Sequence, residues 1–162
     1  MSESVIDPCS SLCESIGPNF WTKQRLETFV NWPFQSPNSQ CNPERMAAAG
    51  FVAIGGNDEP DLVECFVCKK QMDGWDPDDD PWDEHVKHTT SCPYIKLNKQ
   101  DEKQWTVREF FNLINEYTLS CKTQEMNNSI ISLKKEMAAM IDRIPVIYKS
   151  SCSGRFSASQ KK

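Results

Sequence analysis

The chain has 162 residues and a formal net charge of −5; 38% of its residues are hydrophobic and 25% are charged. This length fits one ordinary domain with an appendage. No run approaches the ~20 apolar residues of a membrane helix, and the chain begins without the basic start and apolar stretch of a secretory signal. The acidic balance argues against direct binding to nucleic acid and favours a basic partner.

A leader rich in Ser, Pro and Gly, residues 1–19, is predicted to be flexible. The domain predicted after it covers residues 20–95. A short helix is expected from Thr22 to Trp32, and a second helix from the cap Asn42 to the left-handed exit at Gly50.

Three short strands are expected next, over Phe51–Ile54, over Leu62–Phe66 and from Gln71 onward, with turns between them. They predict a small antiparallel sheet. Asp80-Pro81 then has the pattern of a cap and first helical residue, which predicts a helix to about Thr89.

A long helix is predicted over residues 106–144, after a linker over 96–105. Thr106 and Glu109 have capping-box spacing, and Pro145 is expected to end the helix. A continuous helix of this length would span roughly 57 Å, more than a small domain can cover. Residues 145–162 are Ser-rich and basic and are expected to form a disordered tail.

The apolar residues of this long helix follow a 3–4 spacing, with one break of phase at the five-residue step from Cys121 to Met126. Such a stripe is expected to meet another helix, although packing back on its own domain is the alternative. The predicted interface residues are Phe110, Ile114, Met126, Ile130, Leu133, Met137, Met140 and Ile144.

Four residues have the spacing of a structural zinc site: Cys65, Cys68, His85 and Cys92. Two cysteines two residues apart at a strand turn can both point at one ion, and the other two residues complete a tetrahedron without an open position. Catalytic Cys-His chemistry is disfavoured, because it needs a free thiolate beside a base. His88, on the same helix as His85, is a rival ligand; spacing favours His85 but does not exclude His88.

Acidic residues crowd the stretch between two of these ligands, interrupted by Trp75 and Trp82. A solvated loop is the ordinary reading, but zinc would hold this stretch rigid and the tryptophans offer pocket walls. A rigid acidic pocket with an aromatic wall suits an ammonium group, such as a free protein N-terminus. The acids are Asp73, Asp76, Asp78, Asp79, Asp80, Asp83 and Glu84.

Residues 25–92 resemble the inhibitor-of-apoptosis repeat (BIR) family. The resemblance rests on Asn-Trp-Pro-Phe at 31–34, Pro-Glu-Arg-Met-Ala at 43–47, Asp-Glu-Pro-Asp-Leu at 58–62, the Cys-x-x-Cys pair, and Gly-Trp-x-Pro followed by three Asp and Pro at 74–81. It implies an α+β fold: a small zinc-binding domain with a three-stranded antiparallel sheet and short helices, followed by a long C-terminal α-helix. It also implies one structural Zn ion, with His85 rather than His88 as ligand.

Family members with one BIR domain and a long helix are adaptors of the chromosomal passenger complex. The resemblance therefore implies a non-catalytic protein whose helix bundles with borealin and the inner centromere protein, which carries Aurora kinase. The implied locations are the nucleus, the centromere, the spindle midzone and the cytoplasm, with roles in mitosis and cytokinesis. Neither membrane nor direct nucleic-acid binding is implied.

The BIR domain of such proteins reads a histone tail that begins Ala-Arg-phosphothreonine. By resemblance, Lys70 and His88 would meet the phosphate, and Glu59 and Asp61 the tail's basic residues. The positions for the alanine and its ammonium are Asp73, Trp75, Asp78 and Asp79.

Two further readings stay open at this point. The first is an inhibitor of apoptosis acting on caspases or their antagonists, because the same groove would bind any N-terminal alanine. The long helix favours the adaptor, since inhibition gives it no role. The second is a homodimer through apolar residues that are equally suited to an ordinary core: Phe20, Trp21, Leu97 and Trp105.

Overall fold

The computed structural model describes residues 16–153, with side chains described up to residue 144. In this part of the chain two short α-helices precede three consecutive strands, and three more α-helices follow them, with 3-10 turns at Pro18–Phe20 and Glu102–Gln104. In chain order the elements are α1 (Thr22–Leu26), α2 (Pro43–Ala48), β1 (Phe51–Ala53), β2 (Val63–Cys65), β3 (Gln71–Met72), α3 (Pro81–His88), α4 (Pro93–Leu97) and α5 (Val107–Ser153).

The three strands form one antiparallel sheet in the order β1-β2-β3. Phe51 pairs with Cys65 across the first ladder, and Val63 pairs with Met72 across the second. The sheet and short helices confirm the predicted fold class.

Two of the helix starts follow the predicted capping chemistry. The Asn42 side chain accepts a hydrogen bond from the Arg45 amide at 2.9 Å. The Asp80 carboxylate accepts from the amides of Trp82 and Asp83 at 2.9 and 3.2 Å. Each cap is followed by a proline at the first helical position, where a missing N–H costs nothing.

Gly50 follows α2 with φ of +91°, as a left-handed exit requires. A Cβ at this position would lie 2.8 Å from the ring of Tyr94. The close approach of that ring gives a second reason for glycine here.

The first helix is shorter than predicted, since α1 ends at Leu26 instead of Trp32. Beyond it, the Phe29 amide donates to the Leu26 carbonyl at 3.1 Å and the Trp32 amide to the Phe29 carbonyl at 3.3 Å, which are three-residue turns. Both aromatic rings, those of Phe29 and Trp32, are buried in the core. The helix α4 was not predicted at all.

The long helix α5 begins at the predicted capping box. The Thr106 amide donates to the Glu109 carboxylate at 2.8 Å, and the Glu109 amide donates back to the Thr106 hydroxyl at 3.3 Å. The prediction that Pro145 ends the helix is wrong, because α5 continues to Ser153. A proline removes one backbone hydrogen bond, and this helix extends past that loss. Residues 1–15 and 154–162, most of the leader and the end of the tail, lie outside the described residues.

The chain divides into two units, residues 1–121 and 122–162, so that the boundary falls inside α5. In the first unit Leu113, Ile114 and Tyr117 are buried in the domain core, and Phe110 packs against that core. In the second unit the large apolar side chains described, from Met126 to Ile144, are exposed. None of the helices within residues 16–153 is long and apolar enough to span a membrane.

Candidate metal centre and acidic groove

The four predicted ligands come together at one point. Cys65 ends β2, Cys68 lies in the following turn, His85 lies in α3, and Cys92 immediately precedes α4. Their ligand atoms all lie within 4.8 Å of one another. The Sγ atoms of Cys65 and Cys92 are 3.9 Å apart, and Cys68 Sγ is 3.7 Å from His85 Nε2. Tetrahedral zinc with bonds of about 2.3 Å holds two sulfurs about 3.8 Å apart, so the residues fit this ion.

His85, and not His88, has the surroundings of a zinc ligand. Its Nδ1 lies 2.9 Å from the Ala49 carbonyl oxygen, which suits an Nδ1–H donor and leaves Nε2 facing the sulfurs. Its ring lies 4.8 Å from the ring of Phe51 and is fully buried. The His88 side chain is 54% exposed, and its Nε2 lies 3.5 Å from a Glu84 carboxylate oxygen.

Close packing at this centre perturbs the protonation of three of its four groups. Hydrogen bonds from Cys65 and Cys92 lower the pKa of Cys68 far below its ordinary value, whereas burial raises the pKa of Cys65. Burial lowers the pKa of His85, but hydrogen bonds to Cys68 and Cys92 outweigh it and raise that pKa to about 9. Thiolate charge gathered in a buried site is stabilised by a metal ion at its centre.

The acidic loop, residues 73–80, is held beside this centre by its tryptophan. Trp75 is buried, and its ring lies 5.3 Å from Phe51 and 6.4 Å from Trp32, edge to face. Because Phe51 also contacts His85, one chain of rings joins the metal centre to the loop. The rings of His85, Phe51 and Trp75 therefore form one continuous contact between the four ligand residues and the loop.

Hydrogen bonds order the rest of the acidic loop. The Pro77 carbonyl accepts from the Ser39 hydroxyl at 2.7 Å and from the Gln40 amide at 2.9 Å. The Asp79 carboxylate accepts from the Asp76 amide at 2.8 Å. Asp80 caps α3 and forms an ion pair with Arg45, so its carboxylate is already engaged within the domain.

The predicted groove residues lie on the acidic loop, immediately before β3, in the β1–β2 connection and, for His88, in α3. Asp73 and Asp78 are exposed on the acidic loop, and Asp79 is half-buried there. Lys70 is exposed immediately before β3, and Glu59 is exposed in the β1–β2 connection. Asp61 reaches the loop directly, because its carboxylate accepts a hydrogen bond from the Gly74 amide at 2.8 Å.

Comparison with known proteins agrees with the family that the sequence motifs resemble. The family model of the BIR, described as the Inhibitor of Apoptosis domain, matches residues 25–96. Baculoviral IAP repeat-containing protein 5.2 of Xenopus tropicalis is 44% identical over 131 residues, which cover 78% of this chain and 81% of the relative. The chain belongs to the survivin family, that of baculoviral IAP repeat-containing protein 5.

A second relative agrees with this placement. Baculoviral IAP repeat-containing protein 5 of Mus musculus is 42% identical over 115 residues, covering 68% of this chain and 81% of the relative. The crystal structure of DIAP1 BIR1 bound to a Grim peptide is 28% identical, covers 44% of this chain and 67% of that chain, and has a TM-score of 0.37. BIR domains bind zinc, so the Cys3His group of this survivin-family chain has the donor set that its family requires.

Sequence reasoning missed the residue that joins the helices of this survivin-family domain, Arg25. It is fully buried, and its Nε donates to the Ala47 carbonyl at 2.9 Å. Its guanidinium lies 4.2 Å from the centre of the Phe66 ring. Nothing in the spacing of α1 distinguishes this arginine from a solvated one, and only its later partners reveal the role.

The predicted dimer candidates divide between core and surface. Phe20 is fully buried and makes edge contacts with Phe66 and Tyr117, so it belongs to the core of its own domain. Trp21 and Trp105 are half-buried and line a surface cavity with Phe110. Leu97 is half-buried against the same core.

Proposed function

We propose that this survivin-family chain is a non-catalytic adaptor of a chromosomal passenger complex. Its BIR domain binds the N-terminus of a histone tail beginning Ala-Arg-phosphothreonine, and α5 bundles with borealin-like and inner-centromere-protein-like helices. Through them it carries Aurora kinase to centromeres and later to the spindle midzone. It acts in the nucleus and, during cell division, in the cytoplasm.

The observation that carries this proposal is the exposed stripe on the second half of α5. Six apolar residues at heptad spacing are between 40% and 59% exposed, and an apolar seam of this kind is stabilised by a partner helix. We define the α5 stripe as Met126, Ile130, Leu133, Met137, Met140 and Ile144. The predicted members Phe110 and Ile114 are not part of it, since they pack against the core of their own domain.

The groove supports the histone half of the proposal. Exposed carboxylates of Asp73 and Asp78 beside the Trp75 segment suit an N-terminal ammonium next to a small side chain. Lys70 and His88 supply exposed cationic or protonatable groups for a phosphate. Glu59 is exposed and suits a basic residue further along the tail.

The cysteine chemistry supports a non-catalytic role. Three thiols and one imidazole are gathered as metal ligands, which leaves no vacant position for a substrate. Cys41 is fully buried, and burial together with nearby Asp79 raises the pKa of its thiol to about 12. A thiol with so high a pKa is a poor nucleophile at neutral pH.

Calorimetric titration of the zinc-bound protein with tail peptides tests the groove. The phosphorylated peptide should bind, and removing the phosphate, acetylating the amine or introducing His88→Ala should each weaken binding by about tenfold or more. Binding that needs the amine but ignores the phosphate would indicate a general N-terminal alanine groove and favour an inhibitor of caspases or their antagonists. Absence of binding to every peptide would refute the histone proposal.

Charged substitutions in the α5 stripe test the adaptor half. Ile130→Glu with Met137→Glu should abolish co-purification with borealin and inner centromere protein fragments, because two charges would enter an apolar seam. Asn128→Glu with Ser132→Glu, outside the stripe, is the matched control and should assemble normally. Peptide binding by the BIR domain should be the same in both variants. Normal assembly of the stripe variant would contradict the proposed role of α5.

A further inference from the structure

Asp61 has a structural contact that the resemblance does not anticipate. By resemblance it would meet basic residues of a bound tail, but its Oδ2 accepts a hydrogen bond from the Gly74 amide at 2.8 Å. Asp61 lies at the end of the β1–β2 connection, whereas Gly74 opens the acidic loop. This bond therefore joins two segments that are 13 residues apart.

A hydrogen bond to the Gly74 amide restricts the direction of the backbone at the start of the acidic loop. Its φ of +73° is the left-handed conformation that favours glycine, and it separates the groove carboxylate of Asp73 from the buried Trp75. Fixing the Gly74 amide fixes the peptide plane between Asp73 and the glycine. That plane restricts the backbone from which the Asp73 carboxylate projects.

The two ends of the acidic loop are held unequally. The far end is tied through the Pro77 carbonyl, which accepts from Ser39, Gln40 and Cys41. Among the hydrogen bonds described for residues 16–153, the bond that the Gly74 amide donates to the Asp61 carboxylate joins the Asp73–Trp75 end to another segment. The direction of the chain at Asp73 therefore depends in part on one half-buried side chain, that of Asp61, beside the Met72 strand pairing and the buried Trp75 ring.

We infer that Asp61 is a positioning residue, which holds the acidic loop so that Asp73 faces the ligand's ammonium, instead of a contact to the tail. This inference rests on the proposed function, since it assigns a role within the amine-binding groove. The positioning role of Asp61 requires an acceptor oxygen for the Gly74 amide, but it does not require the negative charge of the carboxylate. Glu59 offers the contrast, because it is exposed and its described hydrogen bond uses only its backbone carbonyl.

The difference between acceptor and charge gives a sharp test in the full-length zinc-bound protein. Asp61→Ala removes both, whereas Asp61→Asn keeps a carbonyl oxygen and removes the charge. Two quantities are measured: hydrogen exchange of the Gly74 amide in the free protein by NMR, and affinity for the Ala-Arg-phosphothreonine peptide by calorimetry. Glu59→Gln serves as the control for loss of charge without loss of the loop tie.

Asp61→Ala should speed exchange of the Gly74 amide and weaken peptide binding, each by about five- to tenfold. Asp61→Asn should stay close to the unmodified protein in both measurements, and Glu59→Gln should leave the exchange rate unchanged. Equal weakening of binding by Asp61→Asn and Asp61→Ala, with unchanged exchange at Gly74, would overturn the inference and assign Asp61 a charge contact with the tail.

The exchange measurement keeps this inference separate from the proposed function. If no form of the protein binds the peptide, the histone proposal fails. Gly74 exchange in the free protein then still decides whether Asp61 holds the loop. Exchange that is the same in Asp61→Ala and the unmodified protein would refute the positioning role by itself.

Discussion

Replacing His85 with alanine should abolish zinc binding and unfold the BIR domain, whereas the same change at His88 should leave the fold intact. Zinc binding in small metal domains is worth about 10–16 kcal/mol, comparable to the ~5–15 kcal/mol that holds an ordinary domain folded. His85→Ala also leaves the Ala49 carbonyl without its partner at 2.9 Å and opens a cavity beside Phe51. His88 is exposed on the same helix and contributes none of these interactions.

Metal content and thermal unfolding measure this difference. The unmodified protein and His88→Ala should each contain one zinc and unfold cooperatively, while His85→Ala should lack zinc and lose its near-UV circular dichroism. Acidification of the unmodified protein should release zinc, because protons compete with the metal for the thiolates and the imidazole. One zinc per chain in His85→Ala, or loss of zinc in His88→Ala, would show that the ligand assignment is wrong.

Features fixed by neighbouring residues could be read from the sequence. Asn42-Pro43 and Asp80-Pro81 each place a cap beside a proline, and both helices begin where those pairs predict. The metal group could also be predicted, because the Cys65–Cys68 spacing constrains both thiols to one turn. Exclusion of His88 as a ligand needed the family resemblance or the fold, since both histidines lie on α3.

Features set by distant contacts could not be read in this way. Arg25 is buried only because Ala47 and Phe66 come to it from other segments. The apolar residues of α5 keep the same 3–4 spacing before and after the break of phase at Cys121, yet Ile114 is buried while Met137 is exposed. The predicted break of phase at Cys121 coincides with the end of the first unit, a signal that could have separated the two halves.

Arg25→Ala should be the most destabilising substitution outside the metal site. The guanidinium donates to the carbonyls of Ala47 and Phe20 and to the Thr22 hydroxyl, and it stacks on the Phe66 ring. Truncation leaves those buried acceptors unpaired, removes the cation beside the ring and opens a cavity in the core. Burial lowers the pKa of Arg25, because its guanidinium is removed from water. Its hydrogen bonds and its contact with the Phe66 ring stabilise the charge in place of water. Removing one member of such a buried polar cluster costs about 3–5 kcal/mol.

Arg45→Ala is the matched control, because Arg45 pairs with Asp80 at the surface and its side chain is 41% exposed. A surface ion pair contributes about 0–1 kcal/mol, since water and salt screen it. Urea unfolding of the zinc-bound protein should therefore give a free energy of unfolding several kcal/mol lower for Arg25→Ala than for Arg45→Ala. Equal losses for the two arginines would mean that α1 is held to the domain by its apolar side chains alone. The buried hydrogen bonds of Arg25 would then only replace the bonds that its guanidinium makes to water in the unfolded chain.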